Sequence, residues 1–399
     1  MCRAFVDSSS SCADPCKPLP HPRVGNRSYQ LDTNVRQRFD LLRFVMIFGV
    51  VVLHTPQYVA IADVGNDGFS LFKAFFQNAM FRTTVPVLTF ISGYLVFHAN
   101  LDLAPKKLLL KKARSLLLPF LVFNLPMVAI AWLAVSFAGL KLSYDLTSSD
   151  PMVWANAVFG LTSAPINYPL NFLRDMMALV LITPLLGLLL RHMPFIGLAF
   201  CVAFFLNNLD GPFVLRDTMP IVFYMGGMVA CCKWELRAWD EYAWPCLLVF
   251  LVLCASIIYF RNANTTLLRL VSPMLVWPAS ALFVQSRFGQ WCVRMNKYSF
   301  FLFMAHAPVL VISWQLYQRV GDVVPYPMYW VATPVLTTAL MVLLYRAGMK
   351  VMPGMLQFAL GGRARRPAGL PAQAGQAMPV AAPAVTVANM NPSASTTNN

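Results

Sequence analysis

Seven ionisable side chains fall inside apolar segments that are long enough to be membrane helices: Asp40, Arg43, His54, Arg82, Arg174, Asp175 and His306. An ionisable group is costly within a bilayer, so its presence there indicates a functional site by default. Imidazole is the side chain whose charge changes near neutral pH, and guanidinium binds phosphate and carboxylate groups well. These residues therefore combine histidines that could act as bases with arginines that could bind an anionic ligand.

Arg43 and His54 are separated by eleven residues on the first apolar segment, DLLRFVMIFGVVVLH. Eleven residues make three helical turns, so both side chains point from one face, about 16 Å apart along the axis. Arg43 then lies at the inner membrane surface, and His54 lies deep in the bilayer. Two plainer interpretations stay open: Arg43 as a positive-inside anchor, and His54 as a structural hydrogen-bonding group.

The second apolar segment begins with Arg82 and carries Pro86 and the small pair Ser92 and Gly93. Arg82 suits a ligand contact at the outer boundary, and an interfacial arginine is the alternative. Small residues allow helices to approach closely, so Ser92 and Gly93 could equally form a packing notch.

Arg174 and Asp175 are neighbours in the sequence at the outer end of the fourth segment. Adjacent residues on a helix face different directions, so we expect them to have separate partners. His306 lies near mid-bilayer on the ninth segment, where a structural hydrogen bond to another helix is the alternative to a catalytic role.

The composition defines the elements that must position these residues. Of 399 residues, 58% are hydrophobic and 12% charged, with a mean hydropathy of +0.59, which excludes a soluble enzyme, a secreted disulfide scaffold and a disordered protein. The expected fold class is all-α, a polytopic helical bundle of about ten membrane-spanning helices. We place these helices at 41–62, 80–98, 115–138, 171–190, 194–209, 218–232, 243–260, 266–285, 298–317 and 327–346. Residues 151–165 could form a re-entrant or interfacial helix.

The distribution of basic residues predicts the orientation of the chain. If both termini are cytoplasmic, 23 of the 31 Lys and Arg residues lie on the inner side, as the positive-inside rule requires. The net charge of +15 therefore indicates topology and lipid contact rather than nucleic acid. We expect a polar cytoplasmic tail over 1–35, a membrane domain over 36–347, and a largely disordered cytoplasmic Ala/Pro-rich tail over 348–399.

The segment 106–119, KKLLLKKARSLLLP, carries five basic residues, among them Lys111 and Arg114. Binding to anionic lipid headgroups is the default interpretation, and a phosphate or nucleotide site is the sharper alternative. The cysteines show no paired CxxC spacing, and we expect no metal site and no tightly bound cofactor.

Taken together, these features resemble the membrane-bound acyltransferase type 3 family of bacterial surface-glycan modification. The likeness covers about 36–347 and is carried by five stretches: Asp40-Leu-Leu-Arg43 with His54; Arg82 through Val85-Pro86 to Ser92-Gly93-Tyr94-Leu95; Lys111-Lys112-Ala-Arg114 to Pro119-Phe120; Asn171-Phe172-Leu173-Arg174-Asp175; and Tyr298-Ser299 with His306-Ala307-Pro308.

The resemblance implies transfer of an acyl group, most often acetyl, from cytoplasmic acetyl-CoA or another acyl-CoA to a sugar hydroxyl of a surface, exported or lipid-linked glycan at the bacterial inner membrane. The catalytic residues would be His54, as general base or acyl acceptor, with Arg43 and His306. The donor would bind to Arg43, Lys111 and Arg114. The acceptor would bind to four further residues, Arg82, Ser92, Arg174 and Asp175.

Two other functions fit the same residues. One is a transporter or flippase for a glycolipid or small molecule, which the lack of a visible internal repeat disfavours. The other is a non-catalytic membrane scaffold or sensor. The sequence leaves open which glycan and hydroxyl are modified, whether the donor is acetyl or succinyl, whether an acyl-histidine forms, and the oligomeric state.

Overall fold

The computed structural model describes residues 31–139, 144–207, 211, 213–321 and 323–363, and no strand occurs among them. Their α-helices, in chain order, are α1 (Thr33–His54), α2 (Gly68–Ala74), α3 (Thr84–His98), α4 (Pro105–Lys112), α5 (Leu118–Ala138), α6 (Pro151–Phe159), α7 (Asn171–His192), α8 (Pro194–Leu206), α9 (Met219–Cys231), α10 (Ala243–Tyr259), α11 (Thr266–Val284), α12 (Arg287–Val320), α13 (Tyr326–Val351) and α14 (Pro353–Ala359). The predicted all-α fold class is confirmed.

Among the described residues, six helical segments are long and apolar enough to cross a membrane: Gly68–His98, Pro105–Phe137, Tyr168–His192, Asp240–Tyr259, Arg287–Val320 and Tyr326–Val351. Each of the ten predicted spans overlaps a helix, but three of those helices are shorter apolar ones. Helix α1 carries charged side chains through its first half, which lowers its hydropathy. The chain is therefore a multi-span membrane protein, and the number ten stays a prediction.

Helix α1 lies eight residues earlier than the predicted span 41–62 (33 against 41, and 54 against 62). It begins after Asp32, whose Oδ1 accepts a hydrogen bond from the Asn34 amide at 3.0 Å. It ends because Thr55 precedes Pro56, and a residue before proline disfavours the helical conformation. His54 is consequently the last residue of the helix, with a loop beyond it.

Both predicted domain boundaries fall inside helices. The boundary at 35/36 lies within α1, and that at 347/348 lies within α13. The chain then forms α14, and Leu360 is buried against Tyr298 and Tyr345. Helical structure thus continues across both predicted boundaries, and the division into domains stays a prediction. The rest of the two predicted tails, 1–30 and 364–399, lies outside the described residues.

Close helix packing determines where the polar residues stand. Helix α1 packs against α3 and α12, and α3 packs along α9. A Cβ atom at Gly93 would collide with the carbonyl oxygen of Phe223, and one at Gly226 with that of Phe90. These two glycines let the α3 and α9 backbones approach each other. The packing notch considered for Gly93 is therefore present.

The segment 151–165 contains the short helix α6, which ends at Gly160 in a left-handed conformation (φ +66°). Asn124 on α5 fastens it, donating from Nδ2 to the carbonyl oxygens of Ala157 at 3.0 Å and Val158 at 2.7 Å. The carbonyl groups that follow α6 are thereby directed towards α7.

Candidate functional site

A cavity of about 690 Å³ adjoins the end of α1. Pockets for small molecules commonly have volumes of roughly 300–1,000 Å³. Its lining includes five side chains that could take part in catalysis or bind a ligand: His54, Arg82, Tyr168, Arg216 and Arg269. They come from five separate places in the chain, so the cavity exists only when the bundle is folded.

The two membrane histidines meet at this cavity. His54 Nδ1 lies 3.1 Å from His306 Nε2, and the two rings are nearly parallel, at 8°. His306 is fully buried on α12, whereas His54 lies at the cavity wall with the ring of Tyr168 edge-on to it at 4.7 Å between centroids. The structure therefore joins two residues that the sequence separates by about 250 positions.

The hydrogen bonds of His306 determine which nitrogen of His54 can act as a base. His306 Nδ1 lies 2.8 Å from the carbonyl oxygen of Phe303 and 3.1 Å from that of Leu302. Carbonyl oxygens only accept, so His306 Nδ1 carries the proton, and Nε2 of the neutral ring accepts from His54 Nδ1. Nε2 of His54 then keeps its lone pair and can take a proton from a ligand.

Gln77 holds the last turn of α1, and with it His54. It is fully buried in a π-type turn, Phe75–Ala79, between α2 and α3. Its Nε2 donates to the carbonyl oxygens of Val52 at 3.1 Å and Thr55 at 2.8 Å. The Val52 carbonyl oxygen also accepts from the Thr55 amide at 3.2 Å, so Gln77 adds a second donor there and supplies one to the Thr55 carbonyl oxygen beyond the helix end.

Three arginines add positive charge to the cavity wall. Arg82 stands in a 3₁₀ turn before α3, with its guanidinium 5.0 Å from the ring centre of Tyr58. Arg216 precedes α9, and Arg269 lies on the first turn of α11. Burial lowers the pKa of Arg216; the carboxylate of Asp175 opposes this effect, and the charges of Arg269 and Arg82 add to it. The positive charges of Arg82 and Arg269 therefore disfavour the charged form of Arg216.

Arg174 and Asp175 form an ion pair, contrary to the expectation of separate partners. Arg174 Nη1 lies 2.8 Å from Asp175 Oδ1, because the long arginine side chain folds back along the helix to its neighbour. Arg174 also donates to the carbonyl oxygens of Gly160 and Leu161, and Asp175 accepts from the Leu215 amide at 3.1 Å. Neither residue is among those lining the cavity. The pair fastens the loop after α6 and the segment before α9 to α7.

Ser92 is also placed away from the cavity wall. Its hydroxyl donates to the Leu88 carbonyl oxygen at 2.8 Å, one turn earlier on α3. Its predicted contact with an acceptor stays a prediction, without a position in the cavity to support it.

The predicted donor residues lie away from the cavity, and Arg43 stands halfway along α1. Arg43 lies 3.6 Å from Asp40, and the Asp40 carboxylate accepts from Asn296 at 2.8 Å. Lys111 and Arg114 are exposed where α4 continues into α5. Arg43 is separated from His54 by about 16 Å along α1.

Sequence reasoning selected His54, His306 and Arg82, but it missed Arg216, Arg269 and Gln77. Arg216 lies in a loop and Arg269 at the start of a helix, where charged residues are common and do not by themselves indicate a functional site. A usable signal existed, since both belong to the eight basic residues that the predicted topology places on the outer side, against the positive-inside rule. Gln77 gave no signal, because its role depends on carbonyl groups of another helix.

Among the described residues, no group of three or more His, Cys, Asp or Glu side chains is placed to hold a metal ion. Comparison with known proteins finds that a family model described as an acyltransferase domain matches residues 36–346. The chain is also 31% identical to the succinoglycan biosynthesis protein ExoH of Rhizobium meliloti (strain 1021) over 365 residues, which cover 87% of this chain and 98% of the relative. No solved structure matches the chain.

Proposed function

The chain belongs to the acyltransferase family whose model it matches, and from this premise we propose that it is a membrane enzyme which transfers an acyl group from cytoplasmic acyl-CoA to a hydroxyl group of an exported polysaccharide. The observation that carries the proposal is the His54–His306 pair at the wall of a cavity. The relative's name supports the class of acceptor, since it denotes a protein of polysaccharide biosynthesis.

In the proposed reaction, His54 Nε2 accepts the proton of the acceptor hydroxyl group as the hydroxyl oxygen attacks the thioester carbonyl carbon. The carbon–sulfur bond breaks, and the sulfur leaves with the proton that His54 returns. His306 accepts the His54 Nδ1–H throughout and so keeps the ring in the orientation and tautomer that the base requires. Attack by His54 itself, forming an acyl-histidine, is the alternative route through the same nitrogen.

The proposed donor site comprises Arg43, halfway along α1, with Lys111 and Arg114 of the basic segment, whose charges suit the phosphates of CoA. The rise of α1 between Arg43 and His54, about 16 Å, is close to the reach of a pantetheine arm. A donor held there presents its thioester to the cavity. With both termini in the cytoplasm of a bacterial inner membrane, the donor site faces the cytoplasm and the cavity faces outwards.

Membership of the acyltransferase family favours this function over a transporter, flippase or scaffold. Acetyl is proposed as the acyl group because it is the commonest in the family that the sequence resembles. The acyl-CoA is a substrate, and no resident cofactor is part of the proposal.

The test compares a deletion strain, the wild type and a complemented strain. Base-labile esters on total surface polysaccharide are measured by NMR, and membranes are supplied with labelled acetyl-CoA or succinyl-CoA. We expect one ester resonance to disappear on deletion, and label from one donor to enter the polysaccharide only where the protein is present. Unchanged esters in the deletion strain, with no transfer from either donor, would contradict the proposal.

A further inference from the structure

The cavity wall is rich in arginine and poor in acid. Among the described residues that line it, three are arginines and none is Asp or Glu. The nearest carboxylate to any of them is the half-exposed Asp217, 3.5 Å from Arg269 Nη1. Asp175 acts on Arg216, but its charge is shared with Arg174, which lies 2.8 Å away. The positive charge of this wall therefore exceeds what its neighbours can balance.

Two of these arginines also carry donors without an acceptor. In the part of the chain that the structure describes, Arg216 Nη1 and Arg269 Nε are buried and have no hydrogen-bond partner. A buried charged donor without an acceptor is costly, and proteins rarely leave one in place. Both donors belong to residues of the cavity wall, so a ligand in the cavity is the natural acceptor.

Arg38 shows how this protein satisfies the donors of a buried arginine. Arg38 is fully buried, and it donates from Nε to Ser280 Oγ at 2.8 Å, from Nη1 to Asp240 at 2.6 Å and from Nη2 to the carbonyl oxygen of Trp277. The contrast indicates that Arg216 and Arg269 await an anionic group that is not part of the chain.

We infer that the cavity is an anion-binding subsite, in which Arg216 and Arg269, with Arg82, hold a carboxylate or phosphate group of the substrate beside His54. The inference deepens the proposed function, because it names a chemical feature of the substrate at the same site. The anion has two sources: an acidic or phosphorylated sugar of the acceptor, or a carboxylate on the transferred acyl group. Arginine binds either through paired, charge-assisted hydrogen bonds.

The experiment measures binding to the purified full-length protein in detergent by isothermal titration calorimetry. Glucuronate and glucose 1-phosphate are compared with neutral glucose, which tests the sugar as the source. Succinate is compared with neutral succinamide, which tests the acyl group. We expect at least one anionic probe to bind about tenfold more tightly than its neutral match, since a hydrogen bond to a charged group is among the stronger ones. Equal binding of every anion and its neutral match would overturn the inference, and this comparison needs no variant.

Variants then locate the subsite. Arg216→Gln and Arg269→Gln should each remove about tenfold of the preferred anion's affinity, while the matched control Arg319→Gln, an exposed arginine at the end of α12, should not. An equal effect in all three would place the anion elsewhere. His54→Ala should retain the anion affinity even where it loses acyl transfer. If His54→Ala loses acyl transfer but the wild type shows no preference for anions, only this inference is overturned. If the wild type prefers anions but transfers no acyl group, only the proposed function is overturned.

Discussion

Five arginines that lie wholly or partly within the bundle form two groups, which differ in how their charge is balanced. Those that fasten helices meet a carboxylate within 3 Å, as in the pairs Arg38–Asp240, Arg174–Asp175 and Arg191–Asp102. Those at the cavity, Arg216 and Arg269, retain donors without an acceptor. A complete set of partners indicates a structural role, and an incomplete set beside a reactive histidine indicates a ligand.

The largest effect is expected from breaking the buried Arg174–Asp175 ion pair. Asp175 is fully buried between Arg174 and the Leu215 amide. Replacing it by Asn leaves the arginine charge unbalanced, which should lower the free energy of unfolding by about 3–5 kcal/mol. The thermal unfolding midpoint in detergent and the amount of protein in the membrane would both fall. Asp217→Asn, at a half-exposed carboxylate, is the matched control. An unfolding midpoint equal to that of the wild type would remove Asp175 from the structural group.

The next effect concerns His306, which we regard as a positioning residue. His306→Ala removes the acceptor of the His54 Nδ1–H and should lower the turnover rate about 100-fold, the lower range for acid–base assistance. His306→Gln should recover part of that rate, because its side-chain oxygen can accept the same hydrogen bond. Equal losses in both variants would point to packing rather than to hydrogen bonding.

A smaller effect is expected at the cavity arginines, which retain donors without an acceptor. Arg216→Gln should raise KM about tenfold for the substrate that carries the anionic group, because a charge-assisted hydrogen bond is lost. It should leave the unfolding midpoint unchanged, because no partner within the chain is lost through Nη1. Arg216→Gln should thus weaken binding without lowering stability, whereas Asp175→Asn should lower stability. A lower midpoint with an unchanged KM would move Arg216 into the structural group.

The smallest effect is expected at Ser92, whose hydroxyl is satisfied by Leu88 on its own helix. Ser92→Ala should change the free energy of unfolding by no more than about 0.5 kcal/mol, and leave transfer unaffected. Gly93→Ala serves as the contrast, since its new methyl group meets the Phe223 carbonyl oxygen and should lower the unfolding midpoint. A large loss of transfer in Ser92→Ala alone would return Ser92 to the acceptor site.

The helices could be predicted from the sequence because the bilayer requires long apolar runs, and each predicted span overlaps a helix. The error at α1 arose from extending an apolar run past Pro56, where backbone geometry ends the helix. Hydropathy alone does not show where a proline ends a helix.

The site was less predictable, because its contacts join distant parts of the chain. Burial cost in a membrane was enough to select His54 and His306, but not their hydrogen-bond direction, which depends on the Leu302 and Phe303 carbonyl groups. The Arg174–Asp175 pair was misjudged because helical spacing describes where side chains start, and not how far a long one can fold back. Arg216 lay in a loop, where only the folded bundle shows that it reaches the cavity.

The most direct test of the account measures acyl transfer in a His54→Ala strain. The matched control is His192→Ala, an exposed histidine at the end of α7, and both proteins are blotted in the membrane fraction so that their amounts can be equalised. With His54 as the base, the polysaccharide ester resonance should fall at least about 100-fold in His54→Ala and stay at the wild-type level in His192→Ala. Ester at the wild-type level in a well-expressed His54→Ala strain would contradict the assignment of the cavity as the place where the acyl group is transferred.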